Sequence, residues 1–217
     1  MTTKYLTGML AKNDRSNLEE RTTREHLFQL AYGALQWPWL LKSLYGGTQA
    51  EKIRLLDRLE LGRDALPHLG SWQADTLEEM KPAITVELGA GASSLVIAKA
   101  LQQHGGGRLL SYDQHLPFVE KMEAWLAEHH LRADFEHAPL TQRDPRWPGL
   151  WYDLPEMPAS IDLLIIDGPP WAVHPYCRGI AERLFPLIPP GGAIMLDDAA
   201  RPGERYVARR WRRNWPN

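Results

Sequence analysis

The hydrophobic pattern divides the chain into a helical first part and a second part in which strands and helices alternate. Over residues 17–66, apolar residues recur three and four positions apart, as they do on one face of a helix. Capping-box sequences at residues 16–19 and 48–51 each precede such a stretch. After Pro82 the pattern changes to short apolar runs. We therefore predict an N-terminal helical segment over residues 1–80 and an α/β domain over residues 81–217.

The second part reads as five strands with helices between them. The run at 161–166 is continuously apolar, which is typical of a central parallel strand buried on both faces. The predicted strands cover residues 83–88, 108–112, 133–137, 161–166 and 193–196, and the predicted helices cover 93–103, 117–130, 174–187 and 202–215. This alternation predicts a doubly wound α/β sheet, in which ligands bind outside the carboxyl ends of the strands. The acidic residues expected there are Glu87, Asp113, Asp167, Asp197 and Asp198.

Composition narrows the class of protein. The chain has 217 residues, of which 44% are hydrophobic and 24% charged, enough apolar material for a folded core. It contains neither an 18-residue apolar run nor a signal-peptide pattern, so we expect no membrane span and a cytoplasmic location. The only cysteine, Cys177, excludes an intramolecular disulfide. A net charge of −2 argues against a nucleic-acid partner.

A glycine loop follows the first predicted strand. Gly89 and Gly91 allow a tight turn and close approach by a ligand, but Ser94 stands where a dinucleotide motif has its third glycine. Glu87 would repel a phosphate, whereas Asp113, 22 residues after Gly91, is placed to bind both ribose hydroxyls. A ligand with a ribose and a positive charge but no phosphate suits this set. S-adenosylmethionine is such a ligand, and a nicotinamide cofactor is disfavoured.

Over residues 83–200 the chain resembles the class I S-adenosylmethionine-dependent methyltransferases. The resemblance implies a Rossmann-like sheet, with Gly89 and Gly91 beside the methionine moiety, Asp113 on the ribose and Ala138 near the adenine. The expected cofactor-binding residues are Glu87, Gly89, Ala90, Gly91, Ser93, Asp113, Ala138 and Asp167. These enzymes usually end in an antiparallel hairpin. Only about 20 residues follow Asp198, so we expect this hairpin to be absent and the last strand to be an exposed edge or covered by another chain.

Three carboxylates are expected at the ends of two neighbouring strands. Asp167 follows the fourth predicted strand, and Asp197 and Asp198 follow the fifth. Carboxylates brought together repel each other unless a cation binds, and oxygen ligands favour Mg²⁺. The arrangement is similar to the metal-dependent O-methyltransferases that act on sugars of macrolides and aminocoumarins, and that resemblance implies these three residues as ligands. The chain departs from the Asp-Gly-Asp of that family at Pro169. Alternatively, Asp197 and Asp198 cap the following helix.

The same edge offers candidates for catalysis and for acceptor binding. Asp167 or His174 could take the proton of an acceptor hydroxyl. Arg178 and Arg201 could pair with an anionic group on the acceptor. Aromatic residues that could stack on a sugar or a phenol, or simply pack in the core, are Trp147, Trp151, Tyr152 and Trp171.

We therefore expect an enzyme that methylates a hydroxyl of a small molecule or saccharide with S-adenosylmethionine, assisted by a metal. Two alternatives stay open: a metal-independent N- or O-methyltransferase, and a non-catalytic domain that binds S-adenosylmethionine or a partner. The helices of residues 17–66 are expected to cover the ligand or to form a contact in a homo-oligomer. The acceptor itself is not identified by the sequence.

Overall fold

The computed structural model describes residues 71–199 and 201–216, and the helices predicted over residues 17–66 lie outside them. Its helices are α1 (Ser71–Met80), α2 (Ala92–Gln103), α3 (Leu116–Glu128), a 3₁₀ helix (Cys177–Leu187) and α4 (Pro202–Asn214). Its strands are β1 (Ile84–Leu88), β2 (Arg108–Asp113), β3 (Asp134–His137), β4 (Leu140–Asp144), β5 (Trp147–Tyr152), β6 (Leu163–Ile166) and β7 (Ala193–Leu196).

Five of these strands form one parallel sheet in the order β3-β2-β1-β6-β7. The chain moves outward from β1 through β2 to β3 and then returns to the other side of β1 with β6. The point at which the strand order reverses therefore lies at β1, where an open α/β sheet forms its ligand crevice. The predicted doubly wound α/β sheet is confirmed.

Alternating side chains of the strands build two hydrophobic layers. Leu163 and Ile165 pack beneath α1, α2 and α3, and Leu77 of α1 joins that layer. Leu164 and Ile166 point to the opposite face, where β5, the 3₁₀ helix and α4 cover the sheet. Because successive side chains of a strand point to opposite faces, the central strands are apolar on both sides and read as continuous apolar runs.

In the sequence between β3 and β6, where we predicted no strands, β4 and β5 form a separate antiparallel hairpin. Pro148 lies inside β5, and two register shifts interrupt the pairing with β4. Proline is depleted in strands, and shifted pairing breaks the alternation of side chains, so the segment carries little strand signal. Its aromatic residues nevertheless make it a large part of the second core layer.

After β6, the structure differs from expectation in one element. The helix predicted over 174–187 is a 3₁₀ helix, and Pro186 lies within it, where an α-helix would lose a hydrogen bond. The C-terminal helix agrees with its prediction to within one residue. In the described part of the chain, β7 pairs with β6 alone, and its Ile194 is 39% exposed. Among the described helices, none has the length and apolar character needed to cross a membrane.

Candidate active site

Glu87 at the end of β1 fixes the glycine loop that joins β1 to α2. This carboxylate is fully buried and accepts hydrogen bonds from the hydroxyls of Ser93 (2.5 Å), Ser94 (2.5 Å) and Ser111 (2.6 Å). The Ser94 hydroxyl also accepts a bond from the backbone N–H of Gly91 at 3.0 Å. Burial raises the pKa of Glu87, while the three serines oppose that shift. Glu87 therefore holds the start of α2 against the sheet.

Position 89 must be a glycine because the neighbouring loop leaves no room for a side chain. Its φ is +95°, in the left-handed region, and a Cβ there would lie 2.7 Å from the backbone nitrogen of Gly168. The nitrogens of Asp167 and Gly168 both donate to the carbonyl of Leu88, at 2.8 and 2.6 Å. The loops that follow β1 and β6 are thus packed backbone to backbone, which brings Asp167 beside the glycine loop.

The ends of β2 and β3 form the other side of the crevice. Asp113 is 6% exposed, and its Oδ1 accepts the backbone N–H of His115 at 2.8 Å, which fixes the carboxylate at the end of β2. Ala138 is fully buried, and its N–H donates to the Asp113 carbonyl at 2.9 Å. Both residues therefore lie at the carboxyl edge of the sheet, where we expect the ribose and the adenine.

The three aspartates at the ends of β6 and β7 come together. Asp167, Asp197 and Asp198 each present a carboxylate oxygen, and these oxygens lie within 4.8 Å of one another. The two strands are paired in register up to Ile166 and Leu196, so their next residues meet. Asp198 has a φ of +56°, an uncommon conformation for a non-glycine residue that occurs often at functional sites. The helix that follows begins at Pro202 and has Arg201 as its N-cap, so neither aspartate is its cap.

Arg178, Arg201 and Glu204 complete this cluster, and of these only Glu204 was not expected from the sequence. Arg178 is 4% exposed and donates to Asp167 Oδ1 at 3.2 Å, to the Asp167 carbonyl and to the Asp197 carbonyl at 3.0 Å. Arg201 pairs with Asp198 at 2.6 Å. Glu204, 1% exposed, lies 3.9 Å from both guanidinium groups. The two arginines therefore bind carboxylates of the protein, which replaces the expectation that they bind an anionic acceptor.

The charges of the cluster do not balance among its own side chains. Four carboxylates (−4) face two guanidinium groups (+2), which leaves a formal charge of −2. Burial, and then the nearby Asp197 carboxylate, raise the pKa of both Asp167 and Asp198. Opposite oxygens around an octahedral Mg²⁺ lie about 4.2 Å apart, since each Mg–O distance is about 2.1 Å. The oxygen-only donors and the residual formal charge fit a hard divalent cation, around which the oxygens, now within 4.8 Å of one another, would close to about 4.2 Å or less.

His174 and the aromatic residues lie on the hairpin side of the 3₁₀ helix. The Nδ1 of His174 accepts the backbone N–H of Tyr176 at 3.1 Å, and its side chain packs against Gly149. His174 is not part of the three-carboxylate group. Trp147 and Trp151 are each 2% exposed, so they pack in the core and present no open face to an acceptor. The alternative interpretation of these tryptophans, core packing, is the one that the structure supports.

Comparisons with known proteins agree with this architecture. The family model described as a methyltransferase domain matches residues 86–199, which are 114 of the 217 residues, and the chain belongs to this family. A search among curated proteins found no significant match.

Several solved structures are distantly similar. The O-methyltransferase TomG from Streptomyces achromogenes, in complex with S-adenosylmethionine, is 19% identical, with a TM-score of 0.45 and 77% of each chain covered. An O-methyltransferase from Bacillus cereus, in complex with S-adenosylhomocysteine, is 14% identical, with a TM-score of 0.48 over 81% of this chain and 83% of that one. The methyltransferase PaMTH1 from Podospora anserina is 12% identical, with a TM-score of 0.44. The match covers 67% of the present chain and 61% of PaMTH1.

Proposed function

We propose that this methyltransferase-family chain transfers the methyl group of S-adenosylmethionine to a hydroxyl of a small molecule or saccharide, with a divalent cation beside the methyl group. The observation that carries the proposal is the meeting of two sets of residues at one edge of the sheet. The glycine loop and Asp113 lie at the ends of β1 and β2, and the three-aspartate cluster borders the glycine loop at Asp167. The backbone contact between Gly89 and Gly168 joins the two sets.

The cofactor-binding role is supported by the way the loop is held. Glu87 accepts hydrogen bonds from three serines, and these bonds hold the start of α2, with its backbone N–H groups, at the carboxyl end of β1. Asp113 is buried at the end of β2, where it can accept the two hydroxyls of a ribose. These positions suit a sulfonium nucleoside that carries an amino acid.

The cation would be held by Asp167, Asp197 and Asp198, and when bound it lowers the pKa of a coordinated acceptor hydroxyl and orients its oxygen. Methyl transfer forms a bond between that oxygen and the methyl carbon while the bond from carbon to sulfur breaks. The hydroxyl proton must pass to a base. Asp167 is our choice for that base, because it stands between the cluster and the glycine loop. His174 is the second candidate.

One observation favours a metal-independent variant of the same reaction. The guanidinium of Arg178 already contacts Asp167 and the carbonyl that precedes Asp198. A fixed cation of this kind compensates part of the negative charge without a metal. In that case Asp167 or His174 would act as base on an N or O acceptor unaided.

Calorimetry tests the cofactor part of the proposal. S-adenosylhomocysteine should bind, and Asp113→Ala should weaken that binding by about 1.5–3 kcal/mol, as the loss of charged hydrogen bonds does. Asp134→Asn is the matched control, because that carboxylate is 57% exposed and pairs with Arg108 at the opposite end of the strands. An affinity that is the same in the Asp113 variant and the wild type would contradict the assignment.

Titration with Mn²⁺, followed by electron paramagnetic resonance, tests the metal part. Asp198→Asn should weaken Mn²⁺ binding while S-adenosylhomocysteine binding survives, because the nucleoside contacts lie on β1 and β2. Asp167→Asn should lose both the metal and methyl transfer. Turnover of hydroxyl acceptors that is unchanged by a chelator would replace the metal-assisted reaction with the metal-independent one.

A further inference from the structure

The hydroxyl of Tyr152 is a buried polar atom without a hydrogen-bond partner in the part of the chain that the structure describes. Tyr152 ends β5, and its side chain is 1% exposed. Native proteins leave few buried hydroxyls unpaired, because a hydroxyl taken out of water without a partner destabilises the fold. We therefore expect the hydrogen-bond partner of this hydroxyl to be a group other than the described residues, such as a bound ligand.

The unpaired oxygen lies beside the loops that follow β1 and β6, at the edge where we propose that the cofactor binds. A methyl group added to Gly168 would collide with it, and the same methyl group would be 3.0 Å from the Cα of Gly89. The charged groups that act on the Tyr152 hydroxyl include Asp113 at the end of β2 and Asp167 at the end of β6. The hydroxyl thus lies among the ends of β1, β2 and β6, beside Gly89 and Gly168.

A second buried polar atom at this edge is unpaired as well. Within the described residues, Gln114 Oε1 has no hydrogen-bond partner, and Gln114 directly follows Asp113. Two independent side chains, one from the hairpin and one from the end of β2, therefore leave polar atoms unpaired at the same edge. A polar ligand with several hydrogen-bonding atoms would satisfy this pattern better than an apolar one.

The Tyr152 hydroxyl is a donor at neutral pH. Burial raises the pKa of Tyr152 well above its usual value, and the negative charge of Asp113 raises it further. The phenol consequently keeps its proton, and the strongest partner for a neutral O–H in a buried site is an oxygen that carries negative charge. Of the expected ligand's groups, only the carboxylate of the methionine moiety carries such an oxygen.

We propose that Tyr152 is a cofactor-binding residue whose hydroxyl donates a hydrogen bond to the methionine carboxylate of bound S-adenosylmethionine. The inference rests on the proposed function, because it assumes that this crevice holds the methyl donor. It assigns a binding role to the hairpin of β4 and β5, which brings Tyr152 to the carboxyl edge of the sheet from the face opposite α2. It also accounts for Gly168, since any side chain there would displace the hydroxyl.

Tyr152→Phe tests the proposal, because it removes the hydroxyl and keeps the ring. The melting temperature of the ligand-free protein should stay unchanged or rise, since an unpaired buried oxygen is removed. The affinity for S-adenosylhomocysteine, measured by calorimetry, should fall about tenfold or more, as the loss of a hydrogen bond to a charged group does. Methylthioadenosine lacks the carboxylate, so the variant should bind it as the wild type does. Tyr206→Phe is the control, because that residue is 44% exposed, and neither quantity should change.

The outcomes separate this inference from the proposed function. If the wild type fails to bind S-adenosylhomocysteine, the proposed function is wrong and this inference with it. If the wild type binds and Tyr152→Phe binds equally well, only the role of Tyr152 is wrong. A lower melting temperature of the ligand-free variant would show that the hydroxyl already has a partner in the protein, and an equal loss of methylthioadenosine binding would contradict the carboxylate as acceptor.

Discussion

Replacing Arg178 by methionine should destabilise the protein far more than replacing an exposed arginine. Arg178 lies in the 3₁₀ helix and is 4% exposed. Its guanidinium donates to the carbonyls of Asp167, Pro169 and Asp197, which end or follow the two strands β6 and β7. Methionine keeps much of the length and the apolar stem but has no donor and no charge.

The contacts set the expected size of the effect. Removing one partner of a buried ion pair costs about 3–5 kcal/mol, because the remaining charge is left uncompensated. In this case Asp167 and Glu204 stay behind with less positive charge, and three carbonyls lose a donor. Access of water to the partly exposed Asp167 recovers some of that cost, so we expect a loss of about 3–5 kcal/mol and not the sum of every bond. In a protein of this size that loss corresponds to about 6–20 °C in melting temperature.

Urea unfolding in the presence of a chelator measures this loss without a contribution from bound metal. Arg108→Met is the matched control, because Arg108 makes a 2.7 Å ion pair with Asp134 while their side chains are 65% and 57% exposed. Such exposed pairs contribute about 0–1 kcal/mol. If Arg178→Met costs less than about 1 kcal/mol, or no more than Arg108→Met, the conclusion that Arg178 ties the ends of β6 and β7 together is wrong.

Two further predictions concern the glycine loop. Gly89→Ala should lower the free energy of unfolding in urea by about 2–5 kcal/mol, because the φ is left-handed and the new Cβ collides with Gly168. Gly105→Ala is the control: its φ is +106°, a Cβ there has nothing within 4 Å, and the loss should be only about 1–2 kcal/mol. Equal losses in the two variants would exclude the collision. Burial raises the pKa of Glu87 above 4.5, so the wild type should lose stability relative to Glu87→Gln as the pH rises from about 4.5 through the raised pKa, and then level off. A stability difference that is constant between pH 4 and 8 would show that the pKa is not raised.

Much of the architecture could be predicted from the sequence because its signals are local. The continuous apolar run at 161–166 and the alternation of strands and helices depend on side chains within a few positions of each other, and all five predicted strands of the sheet are present. The aspartates of the cluster could also be placed, since parallel strands end at a common edge and a residue that follows a strand must lie there.

Other parts of the site could not be predicted, because they depend on residues far apart in the chain. Glu204 lies in the first turn of α4, where an acidic residue usually faces water, and only the packing of that helix brings it to Arg178. Gly168 and Tyr152 share no sequence pattern, although a side chain on one would collide with the other. Nothing in a single sequence marks such a contact.

The sequence by itself therefore determined the fold class, the strand ends and the residue types at the crevice, because hydrophobic periodicity and glycine turns are properties of short segments. Only the tertiary structure decided which charged side chains near the strand ends pair with one another. Arg178 and Arg201, which the sequence offered as acceptor-binding residues, form ion pairs with the protein's own carboxylates. Glu87 is buried and accepts hydrogen bonds from three serine hydroxyls. Whether a charged side chain faces a ligand or a neighbour is set by the distances between separate elements, which are fixed only when the layers pack.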